Sequence, residues 1–112
     1  MRLRTIMGAA ILLNFSLLAS AQVSLTPPLK GALNLSGAFG EVRTDHLHTG
    51  IDYRTGGKIG LKVYSVDKGY ISRIKFSPNG YGKAVYIIHP NGTTSVYAHL
   101  DMLAEPFASY VK

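Results

Sequence analysis

Residues 84–99, Ala-Val-Tyr-Ile-Ile-His-Pro-Asn-Gly-Thr-Thr-Ser-Val-Tyr-Ala-His, decide the fold. Ala84 to Ile88 has no polar face and is rich in β-branched and aromatic side chains, the pattern of a central strand covered on both sides. Pro90-Asn91-Gly92 turns the chain, and Thr93 to His99 returns as an antiparallel hairpin partner. Alternation on that return strand predicts Ser95, Tyr97 and His99 on one face and Thr94, Val96 and Ala98 on the other.

Two more strands precede the hairpin. Tyr70 to Phe76 alternates, with Tyr70, Ser72, Ile74 and Phe76 on one face and Ile71, Arg73 and Lys75 on the other, which predicts a half-buried strand. Lys62 to Val66 predicts another, closed by the turn-forming triplet Asp67-Lys68-Gly69. Glycine is frequent from Gly31 onward and no long helical periodicity appears, so the fold class is mostly β, built from antiparallel strands and turns.

Both flanks change character. Residues 22–36 contain Pro27 and Pro28, which exclude helix and predict an extended lead-in. In the last segment, Asp101 to Lys112, the residues Met102, Leu103, Phe107, Tyr110 and Val111 are spaced for one face of a short C-terminal helix after Pro106. Ending inside such a pattern, without a C-cap glycine or polar tail, predicts a truncated protein.

Residues 1–21 read as an export signal. Arg2 and Arg4 open them, an apolar run follows from Ile6 to Leu18, and Ala19-Ser20-Ala21 is a small-x-small cleavage site. An uncleaved membrane anchor is the alternative, although the run is short for a transmembrane helix. No Cys follows the run, so no lipid anchor is expected.

Of 112 residues, none is Cys or Trp, and 12 Lys plus Arg stand against 6 Asp plus Glu. The lack of Cys excludes a disulfide framework, a thiolate nucleophile and Cys-ligated metals, and leaves four His as the near-neutral bases and softer ligands. Without Arg2 and Arg4, 10 basic residues remain against 6 acidic ones. This modest excess suits anionic envelope polymers or a plain solvated surface. No Lys/Arg-rich run or basic helix with interleaved aromatics points to nucleic acid.

Asp45-His46-Leu47-His48-Thr49-Gly50-Ile51-Asp52 is the densest cluster of ligand-capable side chains. Thr49-Gly50-Ile51 disfavours helix, so a turn at Gly50 is the device that would bring His48 and Asp52 together. Imidazole nitrogen with carboxylate oxygen suits Zn2+, and a hydrogen-bonded turn is the simpler alternative. His46, His48 and Asp52 could also form a complete three-ligand set, since His-x-His on a strand points both rings one way. His89, beside Pro90, reads as a partly exposed histidine that stabilises the hairpin loop. Tyr97 either lines the cleft or packs.

From Gly37 to Leu100 the sequence resembles the LytM/lysostaphin family of zinc metallopeptidases, which cut peptide bonds in peptidoglycan. The matching stretches begin with Gly37-Ala38-Phe39-Gly40, His48-Thr49-Gly50-Ile51-Asp52, Val63 through Gly69 and Gly80-Tyr81-Gly82. Ile88-His89-Pro90-Asn91-Gly92 and Tyr97-Ala98-His99-Leu100 complete them. The resemblance implies an antiparallel sheet or β-sandwich of that family's type, with an incomplete domain over residues 37–112. It implies His48 and Asp52 as zinc ligands and His99, in the Tyr-x-His-Leu motif, as a catalytic histidine that does not bind the metal.

The family's third ligand and a second catalytic histidine belong to a later His-x-His motif, and no histidine follows His99. His46-Leu47-His48 lies upstream and is not that motif, so His46 is not expected to bind the metal. With two ligands, this chain alone is expected to hold zinc weakly and to be inactive. The implied substrate is peptidoglycan peptides; no motif names a regulatory partner. The leader places the protein in the periplasm or cell envelope, and resemblance to Gram-negative versions favours the periplasm. A non-catalytic activator of other wall hydrolases and a wall-binding β-module are the alternatives.

Overall fold

The computed structural model describes residues 23–110, in which five short strands form two antiparallel sheets. Strand β1 (Leu35–Gly37) pairs with β2 (Asp52–Tyr53). Strands β3 (Tyr70–Phe76), β4 (Lys83–Ile88) and β5 (Thr94–Tyr97) form the second sheet in sequence order, with β4 central. The fold is mostly β, as expected. The leader expected over residues 1–21 lies outside the described residues. Among the described residues, no helix is long and apolar enough to cross a membrane.

The larger sheet owes its packing face to a bulge. Ile71 pairs with Ile87, but Arg73 pairs with Tyr86, so Ser72 is an extra residue in β3. Its hydroxyl donates to the carbonyl of Tyr86 at 3.3 Å. The inserted residue reverses the alternation, so Ile71 and Ile74, expected on opposite faces, share one. Cross-strand pairing adds Val85 and Ile87 from β4 and Ser95 and Tyr97 from β5 to that face. On the other face the Arg73 guanidinium lies over the Tyr86 ring, 5.5 Å from its centroid. Among the described residues the buried apolar ones are Ala84 and Val85, both at the start of β4.

The β4–β5 turn forms as predicted. His89 N–H donates to the Thr93 carbonyl and Gly92 N–H to that of His89, both at 2.9 Å. The Asn91 side chain accepts from the backbone and hydroxyl of Thr93.

Further expectations need correction. Lys62 to Val66 makes no sheet ladder. It lies against the lead-in through isolated bonds, Thr26 N–H to the Val66 carbonyl at 2.7 Å and Tyr64 N–H to that of Pro28 at 2.9 Å. Pro27 and Pro28 have no N–H to give, so the pairing cannot propagate. The C-terminal helix is reduced to a four-residue 3-10 turn, Phe107–Tyr110. Pro106 blocks helix on its N-terminal side, and four residues cannot repay helix nucleation. The return strand stops at Tyr97, so His99 lies beyond it rather than on its face.

His89 is not partly exposed but buried, at 3%. Its Nδ1–H donates to the Lys68 carbonyl at 2.7 Å, and its Nε2 lies 2.8 Å from the Ser95 hydroxyl. Ser95 and Tyr97 hydroxyls are 3.0 Å apart, and Tyr97 accepts the Val66 N–H at 2.8 Å. This chain of polar groups pins residues 66–69 onto the hairpin, so Tyr97 packs rather than lining the cleft. Gly69 permits the approach, because a Cβ there would lie 2.8 Å from the Ile87 side chain and 3.0 Å from His89 Nδ1.

Candidate metal centre and cleft

The chain between β1 and β2 is folded back on itself. Gly40 N–H donates to the His48 carbonyl at 2.7 Å, His48 N–H to that of Glu41 at 2.8 Å and Arg43 N–H to that of His46 at 2.9 Å. Val42 and Leu47 form an isolated bridge. This small hairpin sets His48 beside the end of β1, and β2 begins four residues later with Asp52.

His48 Nε2 and Asp52 Oδ1 are 3.1 Å apart. His48 Nδ1 lies 2.9 Å from the Ala38 carbonyl. A carbonyl only accepts, so Nδ1 carries the proton, and in the neutral ring Nε2 presents a lone pair. That lone pair faces a carboxylate oxygen, and two acceptors are held this close only when a second ring proton or a cation lies between them. Two donors on a tetrahedral zinc, each at about 2.0–2.1 Å, would be separated by about 3.3 Å. The observed pair therefore fits two positions of such a site, and Nδ1 has the second-sphere carbonyl partner that a metal-binding histidine typically uses.

The contacts continue into a ring. Asp52 Oδ2 accepts from Arg43 Nη2 at 2.9 Å, and the same nitrogen donates to Glu41 Oε2 at 3.3 Å. Glu41 Oε2 also accepts the Ala38 N–H at 3.3 Å. The ring thus runs from Ala38 N–H through Glu41, Arg43, Asp52 and His48 to the Ala38 carbonyl. Arg43 Nε is buried without a hydrogen-bond partner among the described residues.

Arg43, Thr44, Asp45, His46, His48, Asp52 and His99 line one open cleft of about 340 Å3. His46 does not join the His48–Asp52 pair. It is mostly exposed, and its Nδ1 lies 2.5 Å from Asp45 Oδ1. The His46 hydrogen bond, reinforced by its charge, holds the Asp45 carboxyl below its ordinary pKa. No group of three or more His, Cys, Asp or Glu suited to a metal occurs among the described residues. A second opening of similar size is lined by Lys30, Arg54, Lys62, Tyr53 and Tyr64 among others and has no imidazole or carboxylate.

His99 enters the cleft through an unusual backbone conformation, with φ of 55°. Left-handed geometry at a residue other than glycine costs on the order of 1–3 kcal/mol and concentrates at functional sites. Its N–H donates to the Tyr81 carbonyl at 2.9 Å, and Leu100 N–H donates to that of Lys83 at 3.0 Å. The Tyr81 hydroxyl is also 2.9 Å from Thr49 Oγ1, next to His48. Tyr81 therefore ties the His99 backbone to the loop that carries His48. Arg43 and Glu41 carry no role in the sequence reading, because an exposed Glu-x-Arg looks like ordinary surface, and Tyr81 enters it only within the Gly80-Tyr81-Gly82 stretch.

The model of peptidase family M23 matches residues 46–111. Proteins described as DD-carboxypeptidase/endopeptidase Mpg, from Neisseria meningitidis serogroup B and Neisseria gonorrhoeae, are 41% identical to this chain over 64 residues. The alignment covers 57% of this chain and 14% of each relative, so the chain spans a small part of the length of the curated proteins it matches. No solved structure matches it.

Proposed function

This chain belongs to peptidase family M23, and from that premise we propose that it acts as a zinc metalloendopeptidase on the peptide cross-links of bacterial peptidoglycan. In this reading His48 and Asp52 are two of the metal's three protein ligands, and His99 is the catalytic histidine. The observation that carries it is the 3.1 Å approach of His48 Nε2 to Asp52 Oδ1 on the wall of a cleft that His99 also lines. The similarity to DD-carboxypeptidase/endopeptidases supports the choice of substrate. The leader-like residues 1–21 support export to the periplasm or cell envelope.

A bound zinc ion supplies Lewis acidity, polarising the scissile carbonyl and making a water nucleophilic near neutral pH. The chain's own residues do the rest. His48 offers Nε2 because its Nδ1–H is committed to the Ala38 carbonyl. Asp52 offers Oδ1 because Oδ2 is committed to Arg43. His99 moves a proton at a ring nitrogen, accepting it from the attacking water or donating to the oxygen that gains charge.

Replacing His99 with Ala in the full-length protein is expected to lower turnover on cross-linked peptides by about 10²–10³-fold while zinc content stays unchanged. Full activity in that variant would remove His99 from the reaction.

A further inference from the structure

The ring that closes on Ala38 places Arg43 directly behind Asp52, on the side away from His48. Asp52 has two carboxylate oxygens, and either could turn toward His48. Arg43 Nη2 occupies Oδ2 at 2.9 Å, which leaves Oδ1 facing His48 Nε2. Arg43 is itself held by Glu41, whose Oε2 is anchored to the Ala38 N–H. The guanidinium can reach this place because residue 37 has no side chain. A Cβ on Gly37 would lie 2.6 Å from Arg43 Nη2 and would also collide with the Asp52 carboxylate. The guanidinium is engaged at one end only, since Nε is buried and unpaired among the described residues.

We propose that Arg43 is a positioning residue that fixes the rotation of the Asp52 carboxylate, so that Oδ1 alone is presented with His48 Nε2, and that bare Gly37 is the notch that admits it. This rests on the reading of Asp52 as a metal ligand. Partners of this kind, one step behind a ligand, typically contribute 10–100-fold in metal affinity when intact. A lysine at the same position carries the charge with less reach and without the planar fork, so it should recover part of the effect.

The test is the Zn2+ affinity of the full-length protein, measured by competition with a chromophoric chelator. Arg43→Met keeps the apolar stem and removes the donor; it is expected to weaken affinity by about 10–100-fold, with Arg43→Lys in between. In an Asp52→Ala background, Arg43→Met is expected to change affinity by no more than about twofold, because its only route to the metal is gone. A loss of equal size in both backgrounds would mean that Arg43 supports the fold generally and would overturn the proposal. Unchanged affinity in Arg43→Met, with a large loss in Asp52→Ala, would refute the positioning role and leave Asp52 as a ligand. Unchanged affinity in Asp52→Ala would refute the ligand reading and this proposal with it. Should circular dichroism show that the Met variant does not fold, Arg43→Lys carries the same comparison.

Discussion

The β3–β4–β5 sheet and the segment from Gly37 to Asp52 are held together in different ways. The sheet is a backbone ladder around a central strand, and its neighbours are bound through pairs that any side chains could accompany. In residues 37–52 backbone bonds fold a small hairpin, but the His48 and Asp52 side chains are oriented by a ring of contacts that starts and ends on the Ala38 backbone. Substitutions in the sheet should therefore cost stability. Substitutions in the ring should cost metal binding or turnover while the fold survives.

The strongest challenge to that division is at Ala84, which is fully buried at the start of β4. Ala84→Leu should cost about 1–3 kcal/mol by overpacking. On a domain of this size each kcal/mol lowers the melting temperature by about 4–8 °C. Zinc affinity measured well below that melt should be unchanged; a selective loss of zinc affinity in a folded Ala84→Leu protein would erase the distinction between the two regions.

His89 sharpens the comparison, because it is a histidine that belongs to the sheet. His89→Ala leaves the Lys68 carbonyl without its partner, removes one of the two contacts of the Ser95 hydroxyl, and should destabilise by about 1–3 kcal/mol in thermal or denaturant melts. Its zinc content should match that of the parent protein. Loss of metal from a folded His89→Ala protein would move this residue into the site.

The smallest difference in stability is expected at His99, where chemistry and strain coincide. His99→Gly and His99→Ala should be equally inactive, but the glycine variant should be the more stable by about 1–2 kcal/mol, since glycine adopts positive φ freely. Identical melts would show that the 55° φ carries no strain cost.

How much of this was legible in the sequence varies residue by residue. Ala84 to Ile88 announced a central strand because it has no polar side to expose, and Pro90-Asn91-Gly92 announced its turn. The bounds of β3 were equally clear, yet its faces were not, because a bulge at Ser72 depends on the partner's register and leaves no local mark. Lys62 to Val66 has strand composition, but a ladder needs donors opposite it, and Pro27 and Pro28 withhold them. Strands β1 and β2 are too short to show periodicity.

In the site, the meeting of His48 and Asp52 followed from the turn-prone Thr49-Gly50-Ile51 between them. The entry of His99 into the same cleft was foreshadowed by motif resemblance, although strand alternation is not what puts it there. The ring through Glu41 and Arg43 was hidden, since its decisive feature is a missing side chain at Gly37 on another strand.

The most direct test of the central claim is the zinc content of the full-length protein, purified in parallel with His48→Ala, Asp52→Ala and His99→Ala variants. Stoichiometric zinc is expected in the parent and in His99→Ala, and loss of that zinc in the other two. Zinc retained at parental level in both His48→Ala and Asp52→Ala, or absent from a folded parent protein supplied with the metal, would contradict that claim.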